Sequence, residues 1–419
     1  MLERIPDSLY DLAFQYKETR LWKKLWDIEL FAVTLDDGNI GYCSVMGRNG
    51  EHNALAVYPG DEGLEAFRSI DDREYAVDGC EYAECLMTQD YVSVSFETQE
   101  HFNPDTWAEL EEYCARRGIV RRGPMKLPNF ERLKPYRSLW CITEEKDAAY
   151  IRAALEAALE ISERLKTTTA KKLGFAEGAP YNRSIPLLTK TESGYLWSTI
   201  SLSSERVLQD YPRGHVDEFT LARLKKVKKN GHTWSVRIFL SPEPVPFDDS
   251  GEDAWMEAPI FPFILMAADE TDQRVLDVNT CKGQSDADFD ACFTERFVKQ
   301  ILNEGKPSTL IVEGRRTAAF FSEICNRLDI QIEVSDGGDT LNDAVDHFFT
   351  QMDEDMDLDM DMNMEEETRQ LRKMLNDPAT RQKMPDQFLE ELKGYADMGL
   401  FPEEIQDLIE HELQRRGLT

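Results

Sequence analysis

Long apolar runs are missing from this sequence, which excludes a membrane-spanning helix as an expected element. The strongest apolar stretch, Ala258 to Ala268, falls short of the ~18 residues that a span needs and holds two prolines. It reads as a buried strand. The opening segment MLERIPDSLYDLAF carries acidic residues and lacks the basic flank and continuous apolar core of a secretion signal, so no export and no membrane partner are expected. Positive charge is scarce as well. Against 80 Asp and Glu stand 48 Lys and Arg, a formal net charge of −32 that disfavours bulk affinity for nucleic acid.

Cysteine never falls in metal-binding order. The eight thiols (Cys43, Cys80, Cys85, Cys114, Cys141, Cys281, Cys292 and Cys325) are scattered, and Cys80 and Cys85, the closest pair, are followed by no second Cys or His pair at zinc spacing. Several lie in apolar segments where a thiol behaves as a small hydrophobe, which fits a reducing, cytoplasmic compartment. Neither a metal nor a cofactor is expected. Repeats of solenoid length are absent too.

What is present is ordinary globular material: 41% hydrophobic and 10% aromatic residues over 419 positions, enough for two or three domains with cores of their own. In the first third, Ser8 to Trp26 has helical spacing, and Leu30 to Leu35 and Ile40 to Val45 flank Asp36-Asp37-Gly38-Asn39 as a hairpin would. Asn53 to Tyr58 and Tyr91 to Phe96 read as strands. Asp61 to Ile70, Pro104 to Arg117 and the alanine-rich Ala148 to Leu165 read as helices. A mixed α/β domain over residues 1–170 follows from this order.

A second α/β domain is expected over residues 171–350, with a core at about 233–350. It opens with strand-like Gly194 to Leu202 and a helix Asp217 to Lys229. Strands Trp234 to Leu240, Ile260 to Met266 and Arg274 to Val278 come next, followed by a helix from Asp286 to Leu302 capped by Ser285 and Asp288. Strand Thr309 to Val312, helix Thr317 to Leu328, strand Ile330 to Val334 and a helical stripe from Leu341 to Phe349 complete a βββαβαβα order. Residues 351–365 are an acidic Asp/Met-rich linker, too uniformly charged to pack. Residues 366–419 carry three helical patterns and predict a helical hairpin or small bundle. The fold class is therefore α/β (mixed α+β), with a C-terminal helical module.

Two strand-to-helix turns could hold an anion. Val312-Glu313 runs through Gly314, Arg315, Arg316 and Thr317 into a helix, and Asp336 runs through Gly337 and Gly338 into the next. Amides at a helix start and two arginines favour negative charge, and neighbouring strands would bring both turns to one edge. Neither turn matches a Walker A or dinucleotide fingerprint, and ordinary βα turns explain the same residues. Basic segments at 116–137 and 223–229, with Phe130, Tyr136, Trp140 and Trp234 nearby, could contact nucleic acid or pair with the chain's own carboxylates. The span Gly41 to His52 holds Cys43, Ser44, Glu51 and His52, yet neighbours on a hairpin rarely converge on one point.

The βββαβαβα order resembles that of ribonuclease-H-like nucleases and integrases. That resemblance implies carboxylates converging on two divalent ions, for which Asp269, Glu295, Glu313 and Asp343 are the candidates. The family's essential aspartate stands in the first strand, where Trp234 to Leu240 offers Arg237 and no acid. The runs Leu21-Trp22-Lys23-Lys24-Leu25-Trp26 and Gly41-Tyr42-Cys43-Ser44-Val45-Met46-Gly47 resemble uncharacterised bacterial proteins, and Ser308 to Phe349 resembles a second domain of unknown function found with the first. These resemblances cover residues 5–170 and 230–350 and imply a bacterial, cytoplasmic domain pair without an assigned activity. A non-enzymatic binding or adaptor protein is expected, with a protein partner engaged through 366–419. The alternative is a metal-dependent nuclease or phosphodiesterase.

Overall fold

The computed structural model describes residues 2, 4–50, 52–71, 84, 86–119, 126–175, 181–203, 211–246, 258–283, 285–352, 371–372, 375, 381, 389, 392–393 and 403–416. Cys80, Cys85, Arg121, Arg122 and most of the expected 351–365 linker lie outside the described residues. The chain divides into Met1–Gly338 and Asp339–Thr419.

Alternating apolar positions build the first sheet. Its strands are β1 (Phe31–Thr34), β2 (Ile40–Met46), β3 (Ala54–Pro59), β4 (Tyr91–Glu97), β5 (Leu127–Leu133), β6 (Trp140–Cys141), β7 (Arg183–Thr191) and β8 (Gly194–Leu202), in the order β6-β5-β4-β3-β2-β1-β7-β8. The β1–β2 turn follows the expected composition, with Gly38 at φ 84° and the Asp37 carboxylate accepting the Asn39 N–H. Phe31, Val33, Cys43, Val45, Leu55, Val57, Val92, Val94 and Phe96 point to one face, and helices Asp7–Thr19, Pro104–Arg117 and Glu145–Arg164 bury that face. Tyr42, Ala56 and Tyr58 point to the other, which Leu64 of helix Gly60–Asp71 joins.

Three features depart from expectation. The first domain does not stop near residue 170, because β7 pairs in parallel with β1 and carries β8 into the same sheet. Strand β5 occupies a stretch that reads as a basic segment, because its Leu127, Phe130 and Leu133 are apolar although Arg132 and Lys134 stand at its end. The opening helix ends at Thr19, where Arg20 takes φ 50° and a short turn, Leu21–Lys23, folds Leu21 and Trp22 into the core.

The second sheet comprises β9 (Thr233–Leu240), β10 (Phe263–Asp269), β11 (Arg274–Cys281), β12 (Thr309–Glu313) and β13 (Gln331–Val334), in the order β11-β10-β9-β12-β13. The first three form an antiparallel meander, while β12 lies parallel to both β9 and β13. Trp234, Val236, Ile238, Phe263, Leu265, Leu310 and Val312 meet the aromatic faces of helices Asp286–Phe289, Glu295–Glu304 and Gly314–Leu328. The Ser285–Asp288 capping box is present.

A backbone ladder ties the two sheets into one body. The Tyr136 N–H donates to Met87 O, Phe261 N–H to Tyr136 O at 2.8 Å, and Ser138 N–H to Pro259 O at 2.8 Å. The unit from Asp339 onward is helical at 339–352, and helix Glu403–Arg416 contributes Ile405, Ile409 and Leu413 to a small core with Leu371, Leu375, Leu389 and Leu392.

Candidate functional site

Strands β12 and β13 are neighbours, so the turns at Gly314 and Gly337 share one sheet edge, as expected. An anion crevice does not result, and here the structure corrects the sequence reading. Arg316 is turned inward and buried: its Nε donates to Glu84 at 3.0 Å, its Nη2 to the Tyr136 hydroxyl at 3.0 Å, and its guanidinium lies 4.2 Å from the Phe263 ring. Thr317 is fully buried, its hydroxyl accepting the Ile238 N–H at 2.9 Å. At Gly338 an added Cβ would meet Glu270 Cδ at 2.2 Å, so a carboxylate already fills that turn. Gly314 and Gly337 keep φ of 78° and 84°, as tight turns demand, and Arg315 remains on the surface.

Asp269 and Glu313, two of the four candidate nuclease acids, do not come together. On β9, Trp234 pairs with Asp269 and Arg237 pairs with Glu313. Side chains alternate along a strand, so positions three apart point to opposite faces and stand ~10 Å apart. Asp269 therefore shares the face of the Trp234 core, and Glu313 takes the other, where it binds Arg237 at 3.1 Å. Glu295 is exposed on its helix, and Asp343 belongs to the unit that begins at Asp339.

Asp269 nonetheless organises a polar corner. It ends β10, beside the start of β9, and its side chain is wholly buried. Oδ1 accepts the N–H groups of Thr271 and Asp272, while Oδ2 accepts Trp234 Nε1–H at 3.2 Å and stands 2.7 Å from His232 Nδ1. Asp272 Oδ2 lies 3.8 Å from the same nitrogen. The bond to Asp269 raises the His232 pKa. Burial pushes Asp269 up, but His232 and the two amides outweigh it and hold the carboxyl below its ordinary range. Sequence reasoning missed His232; the signal was available, because an antiparallel β9–β10 pair brings the residue before one strand to the end of the other.

In the first domain, Cys43 and Ser44 point to opposite faces of β2, and Ser44 donates to Asp27 O, so these hairpin neighbours do not converge, in line with the sequence reading. His52 instead meets Glu97 at 2.9 Å. Beside it Glu131 on β5 is pushed up to about 7 by burial and by the Glu97 charge. The described basic residues of 116–137 are largely committed to the chain itself: Arg116 to Asp7, Arg117 to Asp11, and Lys134 to Glu144.

A cavity of 510 Å³ opens where helices Gly60–Asp71 and Glu145–Arg164 both begin. Arg132, Lys134 and Lys146 supply positive charge, and Asp61, Glu62, Asp90, Glu144 and Asp147 supply negative charge. Arg132 sits at its base between Asp90 and Asp147, 3.3 Å from the latter, and Tyr150 donates to Asp37 at the rim. Burial raises Asp147 despite Arg132. Such a lining presents both signs within a few ångströms, which suits a ligand carrying both and repels a polyanion.

A family model described as Domain of unknown function (DUF7309) matches residues 7–181, and one described as Domain of unknown function (DUF6930) matches residues 220–349. The chain therefore pairs two domains of unknown function, the charged cavity lying in the first and the His232 corner in the second. No curated protein and no solved structure matches it.

Proposed function

We propose that this chain is a non-enzymatic binding protein whose first domain takes a small zwitterionic molecule, such as an amino acid or a peptide terminus, in the charged cavity. The observation that carries the reading is the cavity itself, with Arg132 between Asp90 and Asp147 in its lining and the exposed carboxylates of Asp61 and Glu62 beside them. A ligand carboxylate would meet Arg132 and Lys146, and its ammonium group Asp61 and Glu62.

The module from residue 366 serves in this reading as the arm that engages a protein partner, and a bacterial cytoplasm is the proposed location. No helix among the described residues is long and apolar enough to cross a membrane, and Cys43, Cys281 and Cys325 are buried, as thiols that serve as small hydrophobes are. The nuclease alternative gains from the strand order of the second sheet and loses from the separation of Asp269 and Glu313.

Thermal-shift measurements on the full chain against amino acids, dicarboxylates, polyamines and inorganic phosphate test the cavity. Zwitterions are expected to raise Tm, and Lys146→Ala and Glu62→Ala, both at exposed rim positions, to reduce the shift. Equal shifts in wild type and both variants would remove the cavity from the account.

A further inference from the structure

We propose a second site, independent of the cavity: His232, Asp269 and Asp272 hold one divalent first-row transition-metal ion where β10 ends beside the start of β9. Their ligand atoms all lie within 4.8 Å of one another, with His232 Nδ1 2.7 Å from Asp269 Oδ2 and 3.8 Å from Asp272 Oδ2. An ion bound at about 2.0–2.2 Å by nitrogen and carboxylate ligands separates them by roughly 3.0–3.4 Å. The gap from His232 to Asp269 must open by a few tenths of an ångström, the gap from His232 to Asp272 must close by as much, and the two carboxylates, already within 4.8 Å, complete the set.

The surroundings hold the ligands in place. Asp269 is fixed by the two amides on Oδ1 and by the Trp234 indole on Oδ2, the kind of outer contact that orients a metal-bound carboxylate. Those same amide bonds form the turn that carries Asp272 back over Asp269. The Ser308 N–H, donating to His232 O at 2.8 Å, pins the backbone of the histidine to the start of β12. Two carboxylates and a neutral imidazole balance the charge of a divalent ion, and the nitrogen ligand favours zinc, cobalt or nickel over magnesium or calcium. The ion replaces the proton shared by His232 and Asp269, and that proton leaves to solvent. Arg274, whose Nε lies 3.9 Å from Asp272 Oδ2, also bonds Glu304 at 2.8 Å and can turn wholly to it when the ion binds.

Chelator-treated full-length protein titrated with Zn2+ in a calorimeter, and with Co2+ followed by visible absorption, tests the site. One saturable equivalent is expected, with a cobalt spectrum of nitrogen and oxygen ligands. Asp272→Asn, at a half-exposed position, is expected to weaken binding at least about tenfold without changing the metal-free Tm. His232→Gln serves as a second variant, since Asp269 is too deeply buried to replace safely. Absence of a saturable equivalent overturns the proposal, and so does undiminished binding in both variants.

Discussion

Glu131 shows how a single carboxyl couples the first sheet to pH. Its folded pKa is about 7 against an ordinary value of 4.5, so the folded state holds the proton more tightly. Its favourable effect is complete below pH 4.5, declines as pH rises from 4.5 to 7, and is gone above. Glu131→Gln keeps the shape and removes the ionisation. At pH 8 it is expected to stabilise the chain by about 1–3 kcal/mol and to flatten that slope, as chemical denaturation across the pH range would measure. Arg316 illustrates the opposite case, a charge that cannot be spared. Arg316→Ala leaves Glu84 and the Tyr136 hydroxyl without their guanidinium partner and is expected to cost about 3–5 kcal/mol; a loss under 1 kcal/mol would mean that the clasp is incidental. From sequence, an arginine after a glycine turn invites an anion. Nothing local records that Phe263 and Tyr136, far along the chain, enclose it.

At the scale of elements, periodicity made most of the fold legible. The meander β9–β10–β11, strands β12 and β13 and helix Gly314–Leu328 fall where apolar spacing places them, because each buries one face against a neighbour. Strand β10 starts later than read, at Phe263, since Pro259 and Pro262 keep the preceding residues out of the ladder. Strand β5 was hidden because Glu131, Arg132 and Lys134 draw attention as charges, although Leu127, Phe130 and Leu133 share its length. Strand β7 was obscured by Pro186 and by partners on distant β1. The site was less legible than the fold, for the same reason: the cavity joins residues from 39 to 150, and the metal corner joins 232 to 269–272. Thr317→Val tests one such junction. Removing the hydroxyl that accepts the Ile238 N–H is expected to cost about 1–3 kcal/mol by urea unfolding, with unchanged secondary structure.

For the whole molecule, the chain behaves as one body of two sheets plus a separate helical unit, and the two should respond differently to acid. Within the helical unit Glu412 is buried and is pulled down to about 2 by its bond to Arg415, with Arg416 adding to it against the cost of burial. Its contribution is complete above the ordinary glutamate value of 4.5 and is lost as pH falls toward 2. Amide hydrogen exchange on the full chain is expected to show protection in 403–416 fading across that window, while Glu412→Gln lowers it already at neutral pH. The central claim concerns the cavity of the first domain. Amide chemical-shift mapping on the full chain, with the zwitterion giving the largest thermal shift, tests it most directly. Saturable changes clustered at residues 37–39, 59–62, 90 and 132–150 are the expected result; changes elsewhere, or none, would contradict it.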